Sequence, residues 1–340
     1  MADWIVTYRG EGAALLTAWC WVLTSLAFAA AGRRVGPTIV NISRLFLAVA
    51  LLGCLNRIIT GGWIPAVEPV SMMLLMASGI IGLSIGDQLL FTALIDVGSR
   101  MSTLLMTLAP PIVALSAWMF LGESITLMML VGMTITLGGI MLVIRERPSG
   151  DDYVPHPHRR RGIIFGVLAA WCQGFGFVLA KLGMGHARGD EVAHIDPLAA
   201  TLIRMAFAAV GMALIAMVWS FIAARLAMRT PNLTPKKRRI GSAIPIIILG
   251  TVFGPVLGVW LSLIAVDASK AGVAATLMAM TPVFILPFAF LIERERITWR
   301  AVVGAVIAVA GVACLTVADT APAEPGSDLN TAEGQDRRVP

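Results

Sequence analysis

DVGSRMSTLLMTLAPPIVALSAWMFLGESIT, Asp96 to Thr126, has a second copy later in the chain, DASKAGVAATLMAMTPVFILPFAFLIERERIT, Asp267 to Thr298. Each copy reads as one membrane span. An acid and a small-residue turn lead to a basic residue (Arg100, Lys270). A long apolar run broken by proline follows (Pro110, Pro282), then a glutamate (Glu123, Glu295) and Ile-Thr. The same slide of the chain superposes Gly132 on Gly304 and Gly139 on Gly311 in the next spans. Internal duplication within an apolar chain points to transporters.

Working outward, the chain is 58% hydrophobic and 14% charged, with mean hydropathy +0.84. That is far more apolar surface than one water-soluble core needs, so the expected class is an all-α integral membrane protein. Spanning the hydrocarbon takes about 20 apolar residues per helix, and the polar breaks divide this chain into ten such runs. In the first half the spans are Ala13–Ala31, Pro37–Leu55, Val70–Ile95, Met101–Leu121 and Ile125–Ile144. In the second half they are Ile163–Met184, Pro197–Ala223, Ala243–Val266, Ala271–Ile292 and Trp299–Val317. The organisation is therefore a short segment 1–12, a first repeat 13–144, a cytoplasmic linker 145–162, a second repeat 163–317 and a disordered polar tail 318–340.

The repeat reaches the start of each half, where Ala18-Trp19-Cys20 answers Ala170-Trp171-Cys172, and Pro37 and Arg44 answer Pro197 and Arg204. Five spans is an odd number, so the second copy enters the membrane from the opposite side. The halves form an inverted repeat, an arrangement that lets a central site open to either face.

Charge sets the orientation. The loops after spans 1, 3, 5, 7 and 9 carry 17 of the 26 Lys and Arg, and the positive-inside rule makes that side cytoplasmic. Both termini then lie outside, and the run Lys236-Lys237-Arg238-Arg239 meets the anionic inner surface. The net charge of +6 is explained by topology, so no nucleic-acid partner is expected. The expected location is a bacterial-type inner (cell) membrane, with the protein a monomer or homodimer. Residues 1–31 read as an uncleaved span rather than a signal peptide, because Asp3, Arg9 and Glu11 precede the apolar run and Arg33-Arg34 follow it.

The proline-centred span Ala109-Pro110 to Thr126, followed by Gly132, Gly138 and Gly139, resembles the EamA-type module of the drug/metabolite transporter superfamily. The resemblance occurs twice and covers nearly all of residues 13–317. It implies a transporter of a small metabolite or drug-like solute, working by efflux, with a central cavity lined by helices 1, 3 and 6 together with 4, 8 and 9. The second copy departs from the first in reading Ile292-Glu293-Arg294-Glu295 where the first has Leu121-Gly122-Glu123. The connection Lys181 to Asp196 is also longer and more polar than its counterpart. Two other readings stay open: a non-transporting membrane sensor or scaffold, and a lipid or lysolipid transporter on the same fold.

Charges inside apolar spans cost about 2.5–3.5 kcal/mol on insertion scales and mark function by default. Arg44, Asp87 and Arg204 are the residues concerned. Arg44 and Asp87 lie at a similar depth, roughly 10–12 Å from the inner face, so they are placed to pair. They read either as a substrate or proton-coupling site or as a structural ion pair. Arg204 sits near the outer end of its span, and the position answering Asp87 falls near uncharged Gly258. Arg204 therefore reads as snorkelling outward, with substrate contact as the alternative. If all three face one cavity, its charge is +1 and favours anionic or zwitterionic solutes. Gln88, Gln173, Trp19 and Trp171 are softer candidates for the lining, with an interface belt as the alternative for the tryptophans.

Pro110 and Pro111 in span 4, and Pro282 and Pro287 in span 9, are candidate hinges. Gly132, Gly139, Gly304 and Gly311 form a small-residue packing seam. Glu123 and Glu295 read as caps, and Arg100 and Lys270 as local ion-pair partners of Asp96 and Asp267. No catalytic residue is expected. Gly82-Leu83-Ser84-Ile85-Gly86 matches G-x-S-x-G but lies inside an apolar helix, away from all four histidines. His156-Pro157-His158 beside Asp151-Asp152 reads as a polar linker, so no metal or cofactor is expected. No phosphate-binding G-x-x-x-x-G-K-[ST] occurs, which leaves secondary transport of a small-molecule substrate, with protons as the candidate coupling ion.

Overall fold

The computed structural model describes residues 8–145, 158–187, 193–227, 240–284 and 299–320, which hold helices and no strands. The first half contains α1 (Arg9–Val35), α2 (Pro37–Thr60), α3 (Pro69–Ser78), α4 (Asp87–Met106), α5 (Ala109–Leu121) and α6 (Leu127–Arg145). The second contains α7 (Arg159–Gly183), α8 (Pro197–Ala227), α9 (Ile240–Thr251), α10 (Val259–Ala268), α11 (Ala271–Met278), α12 (Thr281–Phe284) and α13 (Trp299–Thr320). Six continuous helical stretches are long and apolar enough to cross a membrane, and four shorter apolar helices accompany them. This is the make-up of a multi-pass integral membrane protein. Pro287, Glu295, the run Lys236 to Arg239, most of the 145–162 linker and the tail beyond Thr320 lie outside the described residues.

The helices are interrupted where the sequence gives a physical reason. A proline has no N–H for the helical ladder and its ring collides with the carbonyl four residues back. Span 4 accordingly breaks at Thr107-Leu108, and α5 restarts with Pro110 and Pro111 in its first turn. Span 9 breaks at Ala279-Met280, and Pro282 lies in the first turn of α12. The sequence predicts proline bends in two otherwise continuous helices; the structure shows actual breaks at Thr107-Leu108 and Ala279-Met280.

Two further interruptions are π-helical. Gly79–Gly86 joins α3 to α4 and Val252–Gly258 joins α9 to α10. They are repeat-related, since the slide that superposes Gly132 on Gly304 also puts Gly86 on Gly258. Each ends on a glycine in close quarters. A Cβ on Gly86 would lie 2.9 Å from the Cβ of Cys172, and one on Gly258 would lie 3.1 Å from the Trp21 indole. Pro255 within the second segment removes one more ladder donor.

Helix α7 is the axle of the packing. Along it, Gly183 lies against Leu75, Gly176 against Gly82, and Gly162 against Val97, so the chain of α3 and α4 runs antiparallel to it. Beyond that point Gly166 meets Leu105 and Gly174 meets Ile112, which is the parallel sense. The chain therefore turns back between Val97 and Leu105, although its helical assignment is unbroken over Asp87–Met106. Both ends of the axle carry ion pairs. Arg161 grips both carboxylate oxygens of Asp96 at 2.7 Å, and Lys181 reaches Glu123 at 2.8 Å. Glu123 also accepts the Ala271 N–H at 2.9 Å, so it caps α11 of the other half.

The last helices of the two halves, α6 and α13, pack on each other through the glycine seam. A Cβ on Gly139 would lie 2.4 Å from the Ala308 nitrogen, and one on Gly311 would lie 2.4 Å from the Thr136 hydroxyl. Gly132 and Gly304 lend their carbonyl oxygens to the same crossing. Gly138, next in the chain, has open space around it. Gly139→Ala should therefore destabilise the protein by about 1–3 kcal/mol through overpacking, while Gly138→Ala should be neutral. Thermal unfolding of the purified protein in detergent compares the two, and equal midpoints would refute backbone contact at the seam.

Candidate functional site

One cavity of about 180 Å³ lies between the two halves. All four helix interruptions reach it: Leu83 from the first π segment, Gly254 and Pro255 from the second, Thr107 and Pro110 from one proline break, and Ala279 and Pro282 from the other. Its wall is chiefly apolar and aromatic, with Phe28, Phe91, Phe177 and Met278 prominent. Arg44, Asp87, Gln173 and Arg204 are its charged and amide members.

Arg44 and Asp87 form a buried ion pair between Nη2 and Oδ2, with the two side chains 4% and 8% exposed. Both make further hydrogen bonds. Arg44 Nε and Nη2 also donate to Asn41 Oδ1 at 3.0 and 2.9 Å, and Nη2 donates to the Leu83 carbonyl at 3.2 Å. The guanidinium carbon stands 4.9 Å from the centre of the Phe91 ring, within cation–π range. The other oxygen of Asp87 accepts from Gln173 Nε2, which makes Gln173 a cross-repeat partner of the pair. A buried pair whose members also make further hydrogen bonds is the form in which desolvation of two charges is offset.

The sequence does not single out Asn41, which holds the guanidinium with Oδ1. Its Nδ2 faces the Ser84 carbonyl at 3.3 Å, Gln88 Oε1 at 3.4 Å and Met212 Sδ at 3.3 Å. The signal was available, because Asn41 lies three residues before Arg44 and so on the same face of α2. Gln88 is engaged here and with Thr38 at 3.1 Å, behind the cavity wall rather than in it. Ser84 of the G-x-S-x-G match donates to the Ala208 carbonyl at 2.7 Å, a helix-to-helix contact.

Arg204 corrects the expectation of outward snorkelling. It is 1% exposed and lines the cavity. Its backbone is pinned by the first π segment, where a Cβ on Gly79 would lie 2.2 Å from the Arg204 carbonyl oxygen. Close backbone approach keeps the side chain at this depth and turns it inward, beside Phe177 at 5.9 Å. Its Nε and Nη1 are buried and have no hydrogen-bond partner, and among the described residues no acid pairs with it. The Ser102 hydroxyl, also on the wall, is likewise unpartnered. The position answering Asp87 after the second π segment is Val259, which lines the cavity and brings no carboxylate.

Trp19 and Trp171 do not line the cavity. They are 41% and 50% exposed on the outside of the bundle, and Trp19 stacks on Phe284 with ring centres 4.9 Å apart. Of the candidate hinges, Pro110 and Pro282 face the cavity, Pro111 points away from it and Pro287 lies outside the described residues. The Arg100 side chain, the expected partner of Asp96, lies outside the described residues, and Asp267 pairs with histidines rather than with Lys270. Asp96 holds Arg161, and Asp267 faces His186 and His194 while Lys270 points to Ser124 and Met129.

A solved structure titled only as the crystal structure of a protein matches with a TM-score of 0.65 at 16% identity. The match covers 92% of this chain and 97% of that one, and it shows a shared fold. No curated protein sequence matches. The model of the EamA-like transporter family matches twice, over residues 8–145 and 160–317, one match for each half that meets at the cavity. The chain belongs to the EamA-like transporter family of the drug/metabolite transporter superfamily and carries its module twice.

Proposed function

We propose that the protein is a secondary transporter of ten spans, built as two inverted five-helix repeats. In this reading it moves a small solute bearing an anionic group, a carboxylate foremost, by alternating access. Export is the proposed direction, on the family resemblance alone. The observation that carries the substrate class is Arg204. A buried guanidinium with unpartnered N–H groups is costly unless an acceptor meets it, and the cavity is where an acceptor can arrive. Arg44 and Asp87 cancel, so the charged lining sums to +1. In the first repeat Asp87 completes the arginine; in the second the solute's carboxylate does so, in the place Val259 leaves uncharged. The aromatic wall suits an apolar solute body, and the volume suits a small one.

The test is binding by the full-length protein in detergent. Matched pairs of aliphatic and aromatic monocarboxylates and their uncharged amides would be compared by thermal shift and calorimetry. Acids should bind and their amides should not. Charge-assisted hydrogen bonds are worth about 1.5–3 kcal/mol, so Arg204→Gln should weaken acid binding roughly 10- to 150-fold. Val259→Asp, which supplies an internal carboxylate, should do the same. Amides binding as tightly as acids, or acid binding unchanged in both variants, would overturn this substrate class.

Asp87, with both oxygens engaged, is assigned a structural role ahead of proton coupling. Asp87→Asn leaves the Arg44 charge buried beside a neutral amide, and breaking a buried pair in this way costs about 3–5 kcal/mol. A clear fall in the unfolding midpoint is expected. An unchanged midpoint together with lost proton-coupled uptake in liposomes would instead make Asp87 the coupling acid.

The proline breaks are assigned the bending that alternating access requires. Pro282→Ala restores a ladder donor and should slow exchange of the bound carboxylate in proteoliposomes several-fold, with the protein still folded. Exchange at the wild-type rate would remove the hinge role.

A further inference from the structure

A second constellation lies away from the cavity, in a polar groove bordered by Glu123, Lys181, His186, Asp267 and Lys270. At its edge His186 Nε2 stands 2.8 Å and His194 Nε2 2.7 Å from the same oxygen of Asp267. The ligand-type atoms of the three residues all lie within 4.8 Å of one another. We propose that His186, His194 and Asp267 form a binding site for a divalent transition-metal ion of the zinc type, which fastens the connection after α7 to the end of α10.

The backbone places these groups deliberately. His186 lies between Gly185 at φ 106° and Ala187 at φ 60°, the latter a left-handed conformation that costs a residue with a Cβ of order 1 kcal/mol or more. The Ile195 N–H donates to the Met184 carbonyl at 3.0 Å, which closes the connection at its base and brings His194 beside His186. The two imidazoles meet edge to face with centres 5.5 Å apart. One residue beyond Ile195, Asp196 accepts the Leu198 N–H at 2.8 Å and fixes the start of α8. Asp267 comes from the last turn of α10, so the site bridges two segments far apart in sequence.

The donor set selects the metal. Two imidazole nitrogens and one carboxylate oxygen suit zinc, cobalt, nickel or copper, whereas calcium and magnesium take oxygen ligands. Three protein ligands leave a position for water, and the groove gives access. Among the described residues no lysine or arginine pairs with Asp267. Lys181 is taken up by Glu123 and by the Ser269 carbonyl at 2.6 Å, and Lys270 Nζ points to Ser124. Without a metal both Nε2 atoms must carry hydrogen to face a carboxylate. Binding moves that hydrogen to Nδ1 or to solvent.

The test uses the full chain in detergent with any affinity tag removed, stripped by a chelator and titrated with Co²⁺. One Co²⁺ per chain should bind, with ligand-field absorption that Zn²⁺ abolishes and Mg²⁺ leaves intact. Loss of an outer-shell partner alone costs roughly 10- to 100-fold in metal affinity. His194→Ala and Asp267→Asn should each therefore weaken binding at least about tenfold. His194 is 54% exposed, so its substitution should leave the metal-free unfolding midpoint in place, while the rise that Zn²⁺ gives the wild type disappears. Binding that persists in a His186→Ala/His194→Ala double variant, or no binding by the wild type above that variant, would overturn the site. Neither outcome bears on the carboxylate reading of the cavity.

Discussion

Hydrocarbon offers a backbone no hydrogen bonds, and that constraint governs where this chain is allowed to be irregular. Each interruption of a helix frees N–H and C=O groups that lipid cannot satisfy, so interruptions must be buried in protein or border a polar space. Here the two proline breaks and the two π segments all reach one cavity. The elements that look weakest in isolation are gathered where solvent or solute can meet their freed groups. Elsewhere among the described residues the helices contact one another through glycines, as along α7 and at the crossing of α6 and α13.

Duplication explains both the symmetry of this arrangement and its defect. The backbone irregularities are preserved between the halves: Pro110 with Pro282, Gly79–Gly86 with Val252–Gly258, Gly139 with Gly311. The charges are not. Both halves keep an arginine on their second span, but only the first keeps the acid that answers it. The consequence is one guanidinium held by Asp87, Asn41 and Phe91 and another, Arg204, with two nitrogens unanswered. A symmetric chain with two such pairs would have a neutral cavity; the lack of a second carboxylate, at Val259, leaves one arginine unpaired.

The sequence made the repeat, the proline breaks, the glycine seam and the depth match of Arg44 with Asp87 legible, because each depends on position along a span. It was silent wherever the answer depended on which way a side chain faces. A helix that is apolar all round has no polar face to orient it. Depth therefore left Arg204 between an outer surface and the cavity, and the resemblance left Trp171 between the lining and an interface belt. The structure puts Arg204 on the cavity wall and Trp171 outside it. The π segments left no trace in composition or periodicity, since one added residue per turn does not alter an apolar run. The cluster of His186, His194 and Asp267 was illegible for another reason. Its members lie in one connection and at a helix end far along the chain, and only folding brings them to one point.

The buried charges also differ in what they contribute to folding. Arg44 and Asp87 offset each other's desolvation, so the fold depends on both being present. Arg204 has no such hydrogen-bonded partner: the Asp87 carboxylate attracts it across the cavity and Phe177 lies beside it, but Nε and Nη1 are left without an acceptor. The cost of burying it is borne by the surrounding packing, above all by the approach of the Arg204 backbone to Gly79, which a side chain at Gly79 would prevent. A buried guanidinium with unmet hydrogen bonds, held in place by backbone contact, is what the proposed carboxylate site would use, because those hydrogen bonds would be made only with the solute.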